Sequence, residues 1–64
     1  MKSMYFQKGN EKLRAVIDLS IKNPNVQNVT IERNMSRTYE KMTEVGFWKY
    51  INSSGFKSVK QFTD

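Results

Sequence analysis

The chain has 64 residues, a formal net charge of +5, and neither cysteine nor histidine. Its length predicts one domain over residues 1–64. Without thiols no disulfide can form, and without imidazoles the usual zinc sites are excluded. A core this small barely offsets the conformational entropy lost on folding, so association into a homodimer is the remaining route to extra burial.

The first half of the chain predicts a strand and then a helix. Residues 3–7 alternate in polarity, which is typical of a short strand with two faces. After a break at Gly9, Asn10 is a good N-cap, and a helix is predicted to run from there to Lys22. Its apolar stripe at helical spacing consists of Leu13, Val16, Ile17 and Ile21. Pro24 ends this helix, because the residue before a proline avoids helical backbone angles.

The second half predicts two strands, a helix and a last strand. Residues 27–33 alternate in polarity like a strand, and a hairpin turn follows them. Residues 37–43 fit both a strand and a helix, because periodicity does not separate the two in a short run; the strand is preferred. Thr43 then caps a helix that ends at Gly55, a residue suited to a left-handed C-terminal cap. Residues 57–63 form the last predicted strand.

The predicted order is therefore strand, helix, strand, strand, helix, strand. Right-handed crossovers in this order give a four-stranded antiparallel sheet with two helices on one face, a ferredoxin-like α+β fold. If residues 37–43 are helical instead, the fold has three strands and a long second helix.

Catalysis is poorly supported by this sequence. General acid–base and nucleophilic catalysis most often use histidine or cysteine, and the chain has neither. Its three glycines form no phosphate-binding loop. The acidic residues are too scattered along the chain to suggest a metal site: Glu11, Asp18, Glu32, Glu40, Glu44 and Asp64. We therefore expect no enzymatic activity, no cofactor and no metal.

The first functional hypothesis is docking on a larger protein. Phe47, Trp48 and Tyr50 cannot all face one side of a helix, so at least one is expected to be exposed, and exposed aromatic side chains are typical of interfaces. Lys49 and Lys57 would form a basic rim around them. The chain would then act as a small inhibitor or adaptor of a host macromolecule, of the kind encoded by phages and plasmids.

The second hypothesis is nucleic-acid binding. Tyr5 and Tyr39 would point to the sheet face without helices, and Arg37, Lys41 and Lys60 would contact phosphates. RNA-recognition domains bind on such a face, although their glycine–aromatic signature is missing from residues 37–41. This hypothesis ranks second because basic residues alternate with acidic ones along the chain.

A third hypothesis is a structural component of a larger complex. For the location of the protein, the sequence shows no apolar stretch that resembles a signal peptide and no run of the roughly 20 apolar residues that a spanning helix needs. We therefore expect a cytoplasmic protein that does not bind membranes.

Overall fold

A five-stranded antiparallel sheet with one helix makes up the fold of residues 1–63, the part of the chain that the computed structural model describes. In chain order the elements are β1 (Lys2–Lys8), β2 (Glu11–Ile17), β3 (Val29–Arg33), β4 (Tyr39–Met42), α1 (Glu44–Ser54) and β5 (Lys57–Val59). The strands lie in the order β4-β3-β2-β1-β5. The first four form a meander, and α1 then carries the chain from one edge of the sheet to the other.

The predicted helix over residues 11–22 is wrong, because residues 11–17 form β2. Lys8 pairs with Glu11, so that only Gly9 and Asn10 connect the two strands of a hairpin. Gly9 has a φ of +58°, the positive value that a type II′ hairpin turn requires at its first central residue. What the sequence indicated as a helix start is therefore the tip of a hairpin.

The burial pattern along β2 follows the two-residue period of a strand, although its apolar residues also fit the 3.6-residue period of a helix. The side chains of Leu13, Ala15 and Ile17 are buried, and the residues between them are partly exposed. This is the alternation of a half-buried strand. Val16, which the helical spacing placed in the apolar stripe, lies on the other side of the strand, and Ile21 lies in the loop between β2 and β3.

The second half of the chain follows its prediction closely. The predicted strands are present as β3, β4 and β5, with β5 much shorter than residues 57–63. Thr43 caps α1 as expected, since its Oγ1 accepts the Gly46 N–H at 3.2 Å. Gly55 ends the helix in the left-handed conformation with a φ of +85°.

The ferredoxin-like prediction is nevertheless wrong, and so is the alternative with three strands and a long helix. Both predictions treated residues 11–22 as a helix. Residues 11–17 instead form a strand, so the fold has one helix and five strands. The physical consequence is a wide sheet with a single helix to cover it. No helix in the part of the chain that the structure describes is long and apolar enough to cross a membrane.

The core lies between α1 and one face of the sheet. Phe47 and Ile51 of the helix pack there, and the Phe47 ring lies 5.7 Å from that of Phe6 on β1, edge to face. The remaining buried apolar side chains come from the strands: Leu13, Ala15, Ile17, Val29 and Ile31. Because α1 covers only this face, the opposite face carries no helix. We call that opposite face the open face.

Candidate functional site

Strand pairing places an aromatic and charged row across the open face. Its members in spatial order are Val59, Tyr5, Arg14, Glu32 and Tyr39, each paired in register with the next. A second row consists of Ser3, Val16, Thr30 and Lys41, and a third of Lys57, Gln7 and Lys12. The two tyrosines thus occupy the same row on β1 and β4, with β2 and β3 between them.

The open face is positively charged. Among the strands of residues 1–63, one acidic residue, Glu32, lies on this face. Four basic strand residues lie there as well: Lys12, Arg14, Lys41 and Lys57. The other two acidic strand residues, Glu11 and Glu40, lie on the helix-covered face. Asp18 lies beyond the end of β2, where its carboxylate accepts hydrogen bonds from the Ser20 N–H and hydroxyl, which lower the pKa of Asp18.

The carboxylate of Glu32 is already occupied within the protein. Its Oε1 lies 3.3 Å from a guanidinium nitrogen of Arg14, and its Oε2 accepts the backbone N–H of Arg37 at 2.8 Å. Glu32 is only 9% exposed. The negative charge on the open face is therefore largely neutralised, and it holds Arg14 and the turn after β3 in place.

That turn between β3 and β4, which precedes Tyr39, has an unusual backbone conformation. Asn34, Met35 and Arg37 all have positive φ values of 53° to 62°. Residues other than glycine adopt this conformation only where their surroundings hold it. Here Asn34 is fixed to β2 by two hydrogen bonds, because its Oδ1 accepts the Lys12 N–H at 2.9 Å and its own N–H donates to the Lys12 carbonyl at 2.7 Å.

A hollow of about 490 Å³ lies on the open face between the two tyrosines. It is lined by Tyr5, Phe62, Arg14, Glu32, Tyr39, Met35 and Arg37. Tyr39 is 56% exposed and Met35 is 64% exposed, so one wall of the hollow is formed by large side chains that contribute little to the core. The two tyrosines lie at opposite ends of the hollow, and Arg14 lies in the row between them.

Most residues of the nucleic-acid hypothesis come together on this surface. Tyr5, Tyr39 and Lys41 point to the open face, and Arg37 lies on the rim of the hollow. Lys60 is exposed in the segment after β5 and is not part of the strand rows.

Sequence reasoning missed four of the seven lining residues of the hollow: Arg14, Glu32, Met35 and Phe62. The predicted helix left Arg14 outside its apolar stripe, Glu32 was named only among the scattered acidic residues, and Met35 and Phe62 had no functional assignment. For Arg14 the available signal was the alternation of Lys12, Arg14 and Val16 with apolar residues, which a strand places on one face.

The residues of the protein-docking hypothesis do not form one surface. Phe47 is completely buried in the core. Tyr50 is half-buried, and its hydroxyl accepts a hydrogen bond from the Arg33 guanidinium, which raises the pKa of Arg33. Trp48 is 38% exposed on α1 beside the exposed Lys49, whereas Lys57 lies on the open face.

A separate hollow lies beside Trp48. It measures about 320 Å³ and lies between the start of α1 and the loop that connects β2 to β3. Its apolar lining consists of Ile21, Pro24, Val45 and Trp48. Val45 is 54% exposed, so this part of the helix presents apolar surface to solvent.

Within residues 1–63, no three carboxylates converge on a point where they could hold a metal ion. Comparison of the chain with known protein families, with curated proteins and with solved structures finds no significant match. The geometry of the open face is therefore the basis of the functional assignment.

Proposed function

We propose that the protein binds single-stranded nucleic acid on its open face and does so without catalysis. The observation that carries the proposal is the combination, on one uncovered surface, of the exposed Tyr39 ring and the half-buried Tyr5 ring with four basic strand residues. Proteins that bind single strands use aromatic rings as stacking platforms for bases and basic side chains as phosphate contacts. The hollow on this face brings Tyr5 and Tyr39 together with the guanidinium groups of Arg14 and Arg37.

Each group has a distinct role in this proposal. Tyr39, the more exposed of the two tyrosines, stacks on a base, and Tyr5 stacks on a second base further along the strand. Arg37 and Lys41, which flank Tyr39, contact the phosphates. Arg14 lies between the tyrosines, where its ion pair with Glu32 holds the guanidinium against the sheet.

The shape of the surface favours single strands over a duplex. Stacking on a protein ring requires an unpaired base with a free face, and a duplex offers its base edges only inside the grooves. The sheet presents an uncovered face with a hollow of about 490 Å³, and α1, the one helix of residues 1–63, lies behind it on the other face. Phosphate contacts alone would remain for a duplex.

The direct test is fluorescence anisotropy with a labelled oligo-dT, an oligo-U and a duplex of the same length. We expect both single strands to bind more tightly than the duplex. For a single strand, log K falls by about 0.7 for each phosphate contact per tenfold increase in salt, so about three contacts give a slope near −2. Equal affinity for duplex and single strand, no dependence on salt, or no binding would each reject the proposal.

Tyr39→Ala removes the most exposed stacking platform. Base stacking on an aromatic ring is worth about 1–3 kcal/mol, so we expect the affinity for oligo-dT to fall by roughly 5-fold to 150-fold. Tyr39→Phe is the matched control, since it keeps the ring and should retain most of the affinity. A Tyr39→Ala variant with wild-type affinity would show that the open face is not the binding surface.

Docking of a protein partner beside Trp48 is the second candidate. The half-exposed Trp48 and Val45 next to a 320 Å³ hollow favour it, and the expected occupant is an apolar side chain of a larger protein. Capture of such a partner should survive nuclease treatment, disappear with Val45→Ser and remain with Tyr39→Ala. The reverse pattern would assign capture to the open face.

A further inference from the structure

The segment after β5 returns to the open face and lies against β1. We call residues 60–63 the C-terminal strap. The Phe62 ring meets the Tyr5 ring edge to face, with 5.3 Å between the ring centroids and 85° between their planes. The Thr63 N–H donates to Gln7 Oε1 at 2.9 Å, and Gln7 Nε2 donates to the Thr63 carbonyl. Because Tyr5 and Gln7 both point to the open face, the strap lies on that face.

The strap makes the two ends of the hollow unequal. Tyr5 is half-buried beneath Phe62, whereas Tyr39 in the same row is 56% exposed. The contacts that hold the strap are few and lie at the surface: one ring contact and the hydrogen bonds between Gln7 and Thr63. An edge contact between two rings and the stacking of one base are similar in strength, so a base can replace Phe62 against Tyr5.

We propose that the C-terminal strap regulates the open face by covering Tyr5 until a nucleic-acid strand displaces it. This inference rests on the proposed function. A strand first engages the exposed Tyr39, and the nucleotides that reach across β3 and β2 then compete with Phe62 for Tyr5. Part of the binding free energy is spent on opening the strap, so the strap lowers the affinity of the free protein for nucleic acid.

Phe62→Ala tests this inference without changing the net charge. It removes the ring contact, so we expect the affinity for an oligo-dT long enough to reach both tyrosines to rise by roughly two- to tenfold. Gln61→Ala is the matched control, because Gln61 is an exposed residue of the same strap, whereas the ring contact and the hydrogen bonds to Gln7 use its neighbours Phe62 and Thr63; its affinity should stay near that of the wild type. Far-UV circular dichroism checks that both variants keep the sheet.

Amide hydrogen exchange of Thr63 in the wild-type protein tests displacement directly. Its N–H is bonded to Gln7 in the free protein, so its exchange should become faster when oligo-dT is added. A passive tail would not change, and a tail that clamps the ligand would exchange more slowly. Either of those results overturns the strap as a regulator.

The outcomes also separate the strap from the function on which it rests. If Phe62→Ala binds as the wild type does, the strap has no regulatory role while the proposed function stands. If Phe62→Ala binds more weakly, Phe62 is itself a stacking contact, and the strap is again rejected. If neither protein binds oligo-dT or oligo-U, the proposed function fails, and the regulation falls with it.

Discussion

The two faces of the sheet are made from alternate residues of the same strands, yet they have opposite character. The helix-covered face supplies the core, with Leu13, Ala15 and Ile17 of β2 completely or almost completely buried. The residues between them, including Arg14, point to the open face. Because successive side chains in a strand point to opposite faces, charges that alternate with apolar residues in sequence become concentrated on one surface.

The two faces also differ in what their residues contribute to the stability of the fold. Burial on the helix-covered face stabilises the chain, whereas large exposed side chains such as Tyr39 contribute little to it. Packing of the core does not require these large side chains on the open face. The proposed ligand, which stacks on rings and carries negative charge, would account for both the aromatic residues and the basic residues of this face.

Phe47→Ala should cause the largest loss of stability, because it removes a side chain of the core. Phe47 is fully buried between α1 and the sheet, and truncation of a buried phenylalanine typically costs about 3–5 kcal/mol. For a small domain this is much of the total stability. Tyr39→Ala on the open face should change stability by no more than about 0.5 kcal/mol. Urea denaturation measures both, and similar losses would contradict the division between the faces.

Thr43→Ala should have an intermediate effect that leaves the open face unchanged. The Thr43 hydroxyl accepts the Gly46 N–H at the start of α1, and loss of an N-cap costs about 1 kcal/mol. Thermal unfolding should therefore shift to a lower temperature. Well below that transition, the affinity for oligo-dT should equal that of the wild type, and a lower affinity would show that α1 and the open face are coupled. Thr43→Ser, which keeps a capping hydroxyl, is the control.

Lys41→Gln and Lys49→Gln should have the smallest effects on affinity. Together they compare a charge on the open face with a charge on α1. Each removes one positive charge, but Lys41 lies on the open face and Lys49 on α1. Only Lys41→Gln should lower the steepness of the salt dependence, by about 0.7 per lost phosphate contact. Equal slopes for the two variants would indicate a diffuse charge effect in place of a defined surface.

The alternation of the sequence predicted the strand face of several of these residues, and their role in binding stays a prediction. Tyr5, Tyr39 and Lys41 were expected on an uncovered sheet face, and β1 and β4 do place them there. Basic and acidic residues alternate along the chain, which by itself argues against a basic surface. A strand sends neighbouring residues to opposite faces, however, so Glu40 lies away from Tyr39 and Lys41.

Features that depend on neighbouring residues follow from the local sequence: the faces of β1, the alternation of β3, and the caps of α1 at Thr43 and Gly55. The conformation of residues 11–17 depends on contacts distant in the chain, because their apolar positions fit both periods and pairing along the whole of β1 makes the strand the more stable choice. The same pairing brings Tyr5 and Tyr39 into one row, since contacts between residues distant in the chain are set by register and not by local propensity.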